Sequence, residues 1–211
     1  MPSHAEVDLM IPGPAGGLQA VWQPADTPSA HVAVVCHPHP LHGGTMNNKV
    51  VTTIARAFRD QGFPVLRFNF RGAGSSEGVH DHGRGEVDDL LAVLAWLRQS
   101  QQALQVSLAG FSFGAWVCAA ASARWPRDLR LERLLLVAPP VHYEGFQGLQ
   151  TPPGTVVMMG DQDEVVEPDA MQDWATSRQE PCRLQVFSGA GHFFHGRLAE
   201  LKAEVAGLLA S

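Results

Sequence analysis

Gly110-Phe111-Ser112-Phe113-Gly114 sets a serine between two glycines, directly after the apolar run 104–110 and before an alanine-rich stretch. Glycines at those offsets permit a tight strand-to-helix turn that lifts the central side chain off the end of a sheet. Ser112 in that turn is either an oriented nucleophile or simply the N-cap of the following helix, a position that favours serine. A hydroxyl is a weak nucleophile at neutral pH, so the first reading needs an imidazole base and a carboxylate that holds the imidazole in one tautomer. Both types follow downstream, in the order this turn uses.

"GDQDEVVEP" supplies Asp161, Asp163, Glu164 and Glu167, and "GAGHFFHG" supplies His192 and His195. His192 lies in a glycine-flexed loop after an apolar run, where functional groups collect. His195 is expected to open the last helix, facing solvent or capping it. Spacing alone does not separate Asp161 from Asp163, and either can serve merely to satisfy turn amides.

A second concentration of reactive side chains is "VVCHPHPLHGG", with His37, His39 and His42. Three imidazoles so spaced can be offered to zinc, but no cysteine or local carboxylate completes a ligand set and the prolines restrict the backbone. Hydrogen bonding of His37 and His42 within the loop is the simpler expectation, with Gly43 and Gly44 turning the chain into a helix. "RGAGSSEG" (71–78) bares glycines and serines but lacks the Lys-Ser/Thr ending of a phosphate loop and the full dinucleotide pattern. It reads as a structural turn near the rim of a site, with Arg71 pairing with an acidic neighbour or a substrate.

These residues need a scaffold, and the pattern provides one. Apolar runs at 31–37, 64–70, 104–110, 131–139, 154–160 and 182–188 alternate with helical periodicity. Val50, Ile54 and Phe58 make one stripe, Val87, Leu90, Leu91, Leu94 and Leu97 a second, and Leu198, Leu201, Val205 and Leu208 a third. A fourth helix follows Ser112 and halts before Pro126. This predicts an α/β fold with a mostly parallel sheet and helices on both faces. "AEVDLMI" and "GLQAVWQ", separated by "PGPAGG", predict an antiparallel hairpin at its amino-terminal edge. No repeat or linker divides the chain, so residues 1–211 are expected to form a single domain.

Of the 211 residues 45% are hydrophobic, enough for one sizeable core, and the formal net charge is −6. The absence of a basic field argues against nucleic acid or an anionic membrane and for a small-molecule partner. The start "MPSHAEVDLM" has no leader pattern, and no apolar run approaches the roughly 20 residues of a membrane span. Cys36, Cys118 and Cys182 are an odd number without a CxxC spacing, consistent with reduced, buried thiols in a cytoplasm.

Taken together, GFSFG, "GDQDEVV", "GAGHFF" and "RGAGSSEG" resemble the α/β-hydrolase superfamily over nearly the whole chain. "HPHPLHGGTMNNKVV" and "FNFRGAGSSEG" are similar to a narrower group of small bacterial hydrolases within it. The resemblance implies Ser112 as nucleophile, His192 as base and Asp163 as acid, since the family's Asp stands three residues after the glycine; Asp161 stays the alternative. It also implies an oxyanion hole from the backbone N–H groups of His39 and Phe113. Prolines have no amide hydrogen, so His39 is the one donor among residues 38–40, with Leu41 as fallback. Pro38 replaces the family's usual glycine.

The function so implied is that of a serine hydrolase acting on carboxylic esters, with no metal or organic cofactor. A thioesterase or an amidase or peptidase would use the same triad. Readings of another class are a non-catalytic interaction protein and a metal-dependent hydrolase built on His37, His39 and His42. Only "PVHYEGFQGLQTPP" (140–153) separates two core strands where relatives insert a cap. That shortness implies little or no lid and an open site for small or accessible esters, with His142, Tyr143, Phe146, Phe111 and Phe113 as candidate wall residues.

Overall fold

A computed structural model describes residues 5–143, 145–177 and 182–210. Eight strands form one sheet: β1 (Val7–Gly13), β2 (Gly16–Gln23), β3 (His31–Cys36), β4 (Val65–Phe68), β5 (Gln105–Phe111), β6 (Arg130–Val137), β7 (Val156–Gly160) and β8 (Arg183–Phe187). Their spatial order is β1-β2-β4-β3-β5-β6-β7-β8. β1 pairs antiparallel with β2, and β2 antiparallel with β4. From β4 to β8 every pairing is parallel.

The predicted strand runs all form. β7 is buried at every residue, which is why its sequence reads as continuous apolarity rather than alternation. β4 is equally buried, with Arg67 in its middle paired to Glu6 at 2.7 Å. Five α-helices cover the sheet: α1 (Lys49–Asp60), α2 (Arg84–Ser100), α3 (Phe113–Ser122), α4 (Pro168–Thr176) and α5 (Leu198–Leu209). One apolar cluster unites α2, α3 and α4 with one face of the sheet through residues such as Leu90, Val117 and Met171. A second packs α1 and α5 on the other face around Ile54, Phe58, Leu201 and Val205.

Two expectations need correction. α4 was not foreseen: it is short, opens on Pro168, and buries only Met171, Trp174 and Ala175. The last helix begins at Leu198 and not at His195, because Gly196 at φ 74° turns the chain first. Between β6 and β7 the described residues form turns and no helix, so no cap covers the sheet. The three cysteines are buried and free. Burial pushes the Cys118 thiol up, and the neighbouring Cys36 thiol adds to the shift. No helix among the described residues is long and apolar enough to cross a membrane.

Candidate active site

Parallel strands release their loops at the same end of a sheet, so the turns after β3, β5, β7 and β8 gather on one rim. Ser112 occupies the turn between β5 and α3 at φ 54° and ψ −120°, a conformation that costs a non-glycine residue about 1–3 kcal/mol. The flanking glycines make it possible. A Cβ on Gly114 would stand 2.6 Å from the carbonyl oxygens of both Cys36 and His37, and one on Gly110 would overlap the Gly114 carbonyl. The Ser112 N–H donates to the Val137 carbonyl at 2.8 Å, tying the turn to β6. Ser112 stands at the N-cap of α3 but makes no side-chain cap bond. Its hydroxyl lies 3.0 Å from His192 Nε2.

His192 is only 2% exposed and turns its other nitrogen, Nδ1, to Asp163 Oδ2 at 2.8 Å. A carboxylate can only accept, so Nδ1 carries the proton and Nε2 offers its lone pair to the Ser112 O–H. Asp163 Oδ1 accepts from the Val165 and Val166 amides, each at 2.8 Å. Burial works to raise the Asp163 carboxyl, but the bonds from His192 and these amides outweigh it and hold the group below its ordinary value. Asp161 is exposed and accepts the Gly189 N–H at 2.6 Å, so it fastens the turn after β8 and stands outside the Ser112–His192 line. Glu164 does something the sequence did not suggest. Its Oε2 accepts the His192 backbone N–H at 3.0 Å, clamping the histidine loop. Glu167 caps α4 by position alone. His195 is exposed and stacks on Phe193, with centroids 5.9 Å apart.

The histidine-rich turn divides its labour. His37 is buried; its Nδ1–H donates to the Pro38 carbonyl at 2.6 Å and its Nε2 accepts the Phe70 N–H at 2.9 Å. Both nitrogens are consumed. His42 departs from expectation: its exposed ring makes no loop hydrogen bond among the described residues and stacks on His39 at 4.6 Å. The His39 ring accepts the Leu41 N–H at 3.2 Å, which removes Leu41 as a free donor. Neither the His39 amide nor the Phe113 amide makes a hydrogen bond among the described residues, and the two side-chain rings lie 4.9 Å apart. No three His, Cys, Asp or Glu side chains among the described residues converge as a metal cluster. Arg71 pairs with buried Asp89 at 2.7 Å, and the 71–78 turn is stitched to β2 through Ser76 and Glu77, making it structural.

Three comparisons bear on this arrangement. The model of the X-Pro dipeptidyl-peptidase (S15) family matches residues 19–141. An α/β serine hydrolase homologue from Coxiella burnetii is 44% identical, with 96% of this chain and 97% of that one covered and a TM-score of 0.89. XC6422 from Xanthomonas campestris, an α/β serine hydrolase without a lid, is 39% identical over 97% of this chain and 93% of its own, at a TM-score of 0.87. The chain belongs to the S15 family of α/β-hydrolases. Protein RP471 of Rickettsia prowazekii is a further relative, 37% identical over 92% of this chain and 84% of its own length.

This α/β-hydrolase is lidless like XC6422. The family match spans Ser112 and the histidine-rich turn and ends before Asp163 and His192. A cleft of about 300 Å³ opens over Ser112, His192, Phe193 and Val165, bounded by Pro38, His39 and Gly44. Phe111 and Phe146, expected in its wall, are fully buried: Phe111 supports the His192 ring at 5.2 Å, and Phe146 packs on Trp174. His142, Tyr143 and Phe113 do reach the cleft region. Sequence reasoning missed His80, His82 and Trp116, which stand beside them.

His37 also makes stability depend on pH. Burial lowers its pKa from 6.5 to about 4, so the folded protein keeps it neutral while the unfolded chain takes up a proton near 6.5. Stability from this group is therefore complete above pH 6.5 and falls as the pH drops toward 4, by about 3 kcal/mol in total. Urea unfolding at pH 7, 5.5 and 4 reads this directly, and His37→Gln should flatten the slope in that window.

Proposed function

We propose that this hydrolase cleaves carboxylic esters of small or accessible acyl substrates through Ser112, His192 and Asp163. The observation that supports this reading most strongly is the unbroken line from the Asp163 carboxylate through both nitrogens of His192 to the Ser112 hydroxyl, lying open on an uncapped rim. His192 Nε2 takes the Ser112 proton as Oγ bonds to the acyl carbonyl carbon. The carbonyl oxygen becomes an oxyanion that accepts from the His39 and Phe113 amides. The tetrahedral adduct then collapses: the bond to the alcohol breaks, and His192 returns its proton to the departing oxygen. Water, deprotonated by the same nitrogen, attacks the acyl-enzyme and releases the acid, restoring Ser112 with its proton. Asp163 stays ionised throughout and stabilises the imidazolium.

The S15 match makes a peptidase the second reading. An enzyme that releases dipeptides must find the free ammonium at a peptide's start, which calls for a carboxylate in the site. Among the described residues, none that lines the cleft or the hollow beside it is acidic. Thioesters share the acyl chemistry and differ only in leaving group. A panel of a short alkyl ester, its thioester and a prolyl dipeptide anilide tests the ranking, run with and without EDTA. Ester turnover should exceed anilide turnover by at least about 10²-fold and ignore the chelator. Faster anilide cleavage would assign the peptidase, and chelator sensitivity would overturn the metal-free mechanism.

The role given to His39 has its own test. His39 has φ −56°, which proline accepts, so His39→Pro deletes the N–H with little demand on its own backbone angle. On a short ester, His39→Ala should lose less than about tenfold, and His39→Pro about 10²-fold or more in kcat. A severe loss in folded His39→Ala would contradict the backbone role.

A further inference from the structure

The cleft over Ser112 continues into a second lobe, sharing His39, His142 and Tyr143 with it. This lobe is about 350 Å³ and is completed by His80, His82, Phe113 and Trp116. Every described side chain that lines it ends in a ring. The rings form a continuous surface: His39 lies 4.7 Å from His80 and 4.9 Å from Phe113, His80 lies 5.2 Å from His82, and Phe113 lies 5.9 Å from Trp116. The loop at 79–83 brings His80 and His82 to the histidine-rich turn, and α3 brings Trp116 one turn after Ser112. Gly83 is needed for this fit, since a Cβ there would overlap the Trp116 ring.

The lining selects among ligands. An alkyl chain would be met by Leu, Ile, Val or Met, and the described wall has none of them. An anion would be met by Lys or Arg, which are equally missing from it. Behind the wall lies Glu86, fully buried, whose Oε1 stands 2.9 Å from His80 Nδ1 without hydrogen-bonding alignment. Its negative charge opposes an anionic ligand. Rings offer π faces and polarised edges, which favour another ring in stacked or edge-on contact. A cavity of about 150 Å³ holds benzene, so this lobe has room for an aromatic ring with a short linker. Burial, together with the neighbouring His80 and His42 imidazoles, holds the His39 pKa to about 4, which keeps the middle of the wall uncharged at neutral pH.

We propose that the ring-lined lobe beside Ser112 is a subsite for an uncharged, planar aryl substituent of the ester, so that the substrate class is arylalkyl esters. The assignment rests on the ester-hydrolase reading above, yet occupancy of the lobe is measurable without turnover. In Ser112→Ala protein, 3-phenylpropan-1-ol and 3-cyclohexylpropan-1-ol are titrated by calorimetry, and the imidazole ¹H–¹⁵N resonances are followed by NMR. The phenyl compound should bind about tenfold more tightly, the equivalent of two favourable ring pairs, and should shift His80 and His82. That preference should disappear in Ser112→Ala/Trp116→Leu, with Tyr143→Leu in the same background as the second variant should the first not fold. Equal affinities, unshifted His80 and His82, or a preference that survives in the folded variant would overturn the subsite. In active protein, methyl 3-phenylpropanoate should exceed methyl 3-cyclohexylpropanoate in kcat/KM by about the same tenfold factor. Selective aryl binding without hydrolysis of either ester would overturn the ester-hydrolase reading and leave the subsite standing.

Discussion

Ser112→Ala should abolish ester turnover, by about 10⁵-fold or more in kcat, while changing stability by less than about 1 kcal/mol. The two halves of that expectation come from different atoms. The backbone turn is held by the Ser112 N–H on Val137 and by the close approach of Gly114 to the carbonyls of Cys36 and His37, and alanine keeps both. The hydroxyl contributes no cap bond to α3; its hydrogen bond is to His192. A serine acting as a helix cap would behave oppositely, losing about 1 kcal/mol of stability on replacement and no activity. Urea melts and labelling by a fluorophosphonate distinguish the two. Labelling that persists in Ser112→Ala would remove the nucleophile assignment.

The second large effect separates two aspartates. Asp163→Asn should lower kcat by about 10⁴-fold, for a reason visible in the hydrogen bonds. The Val165 and Val166 amides both demand an acceptor, so an asparagine must place its oxygen there. Its NH₂ then faces His192 Nδ1, which has to accept, and the ring proton moves to Nε2. That nitrogen can no longer take the Ser112 proton. Asp161→Asn keeps an acceptor for the Gly189 N–H and should cost less than about tenfold, measured on the same ester. Equal losses at 161 and 163 would mean the imidazole is oriented by something else.

That pair also marks where sequence reading reached its limit. The strand runs were legible because buried parallel strands carry apolar residues without interruption, and GFSFG was legible because the turn's geometry dictates its glycines. The choice between Asp161 and Asp163 depends on which way a two-residue turn aims each carboxylate, and both are acidic residues after the same strand. On residue spacing they were equal; the superfamily resemblance favoured Asp163, and only Asp163 stands in the hydrogen-bonded line. α4 was illegible because its apolar stripe is three residues long and it starts at a proline. His80, His82 and Trp116 escaped notice because their shared surface exists only after α2, α3 and the loop preceding α2 have packed. Glu164 was weighed as an acid, but its backbone role depends on how closely Gly191 passes: a Cβ there would stand 2.6 Å from its Oε2.

The sheet order assigns Ser112 and His192, the proposed nucleophile and base, to unequal ground. Ser112 follows β5, a strand with neighbours on both sides and nearly all of its residues buried. His192 follows β8, the last strand in the order, hydrogen-bonded to β7 alone and buried only at Phe187. Local opening begins where buried contacts are few and backbone hydrogen bonds run along an edge. An excursion of that margin would withdraw His192 while the Ser112 turn stays folded at the centre. Under the proposed mechanism the working lifetime of the site would then depend on the cohesion of one border strand, a smaller free energy than that of unfolding the whole molecule.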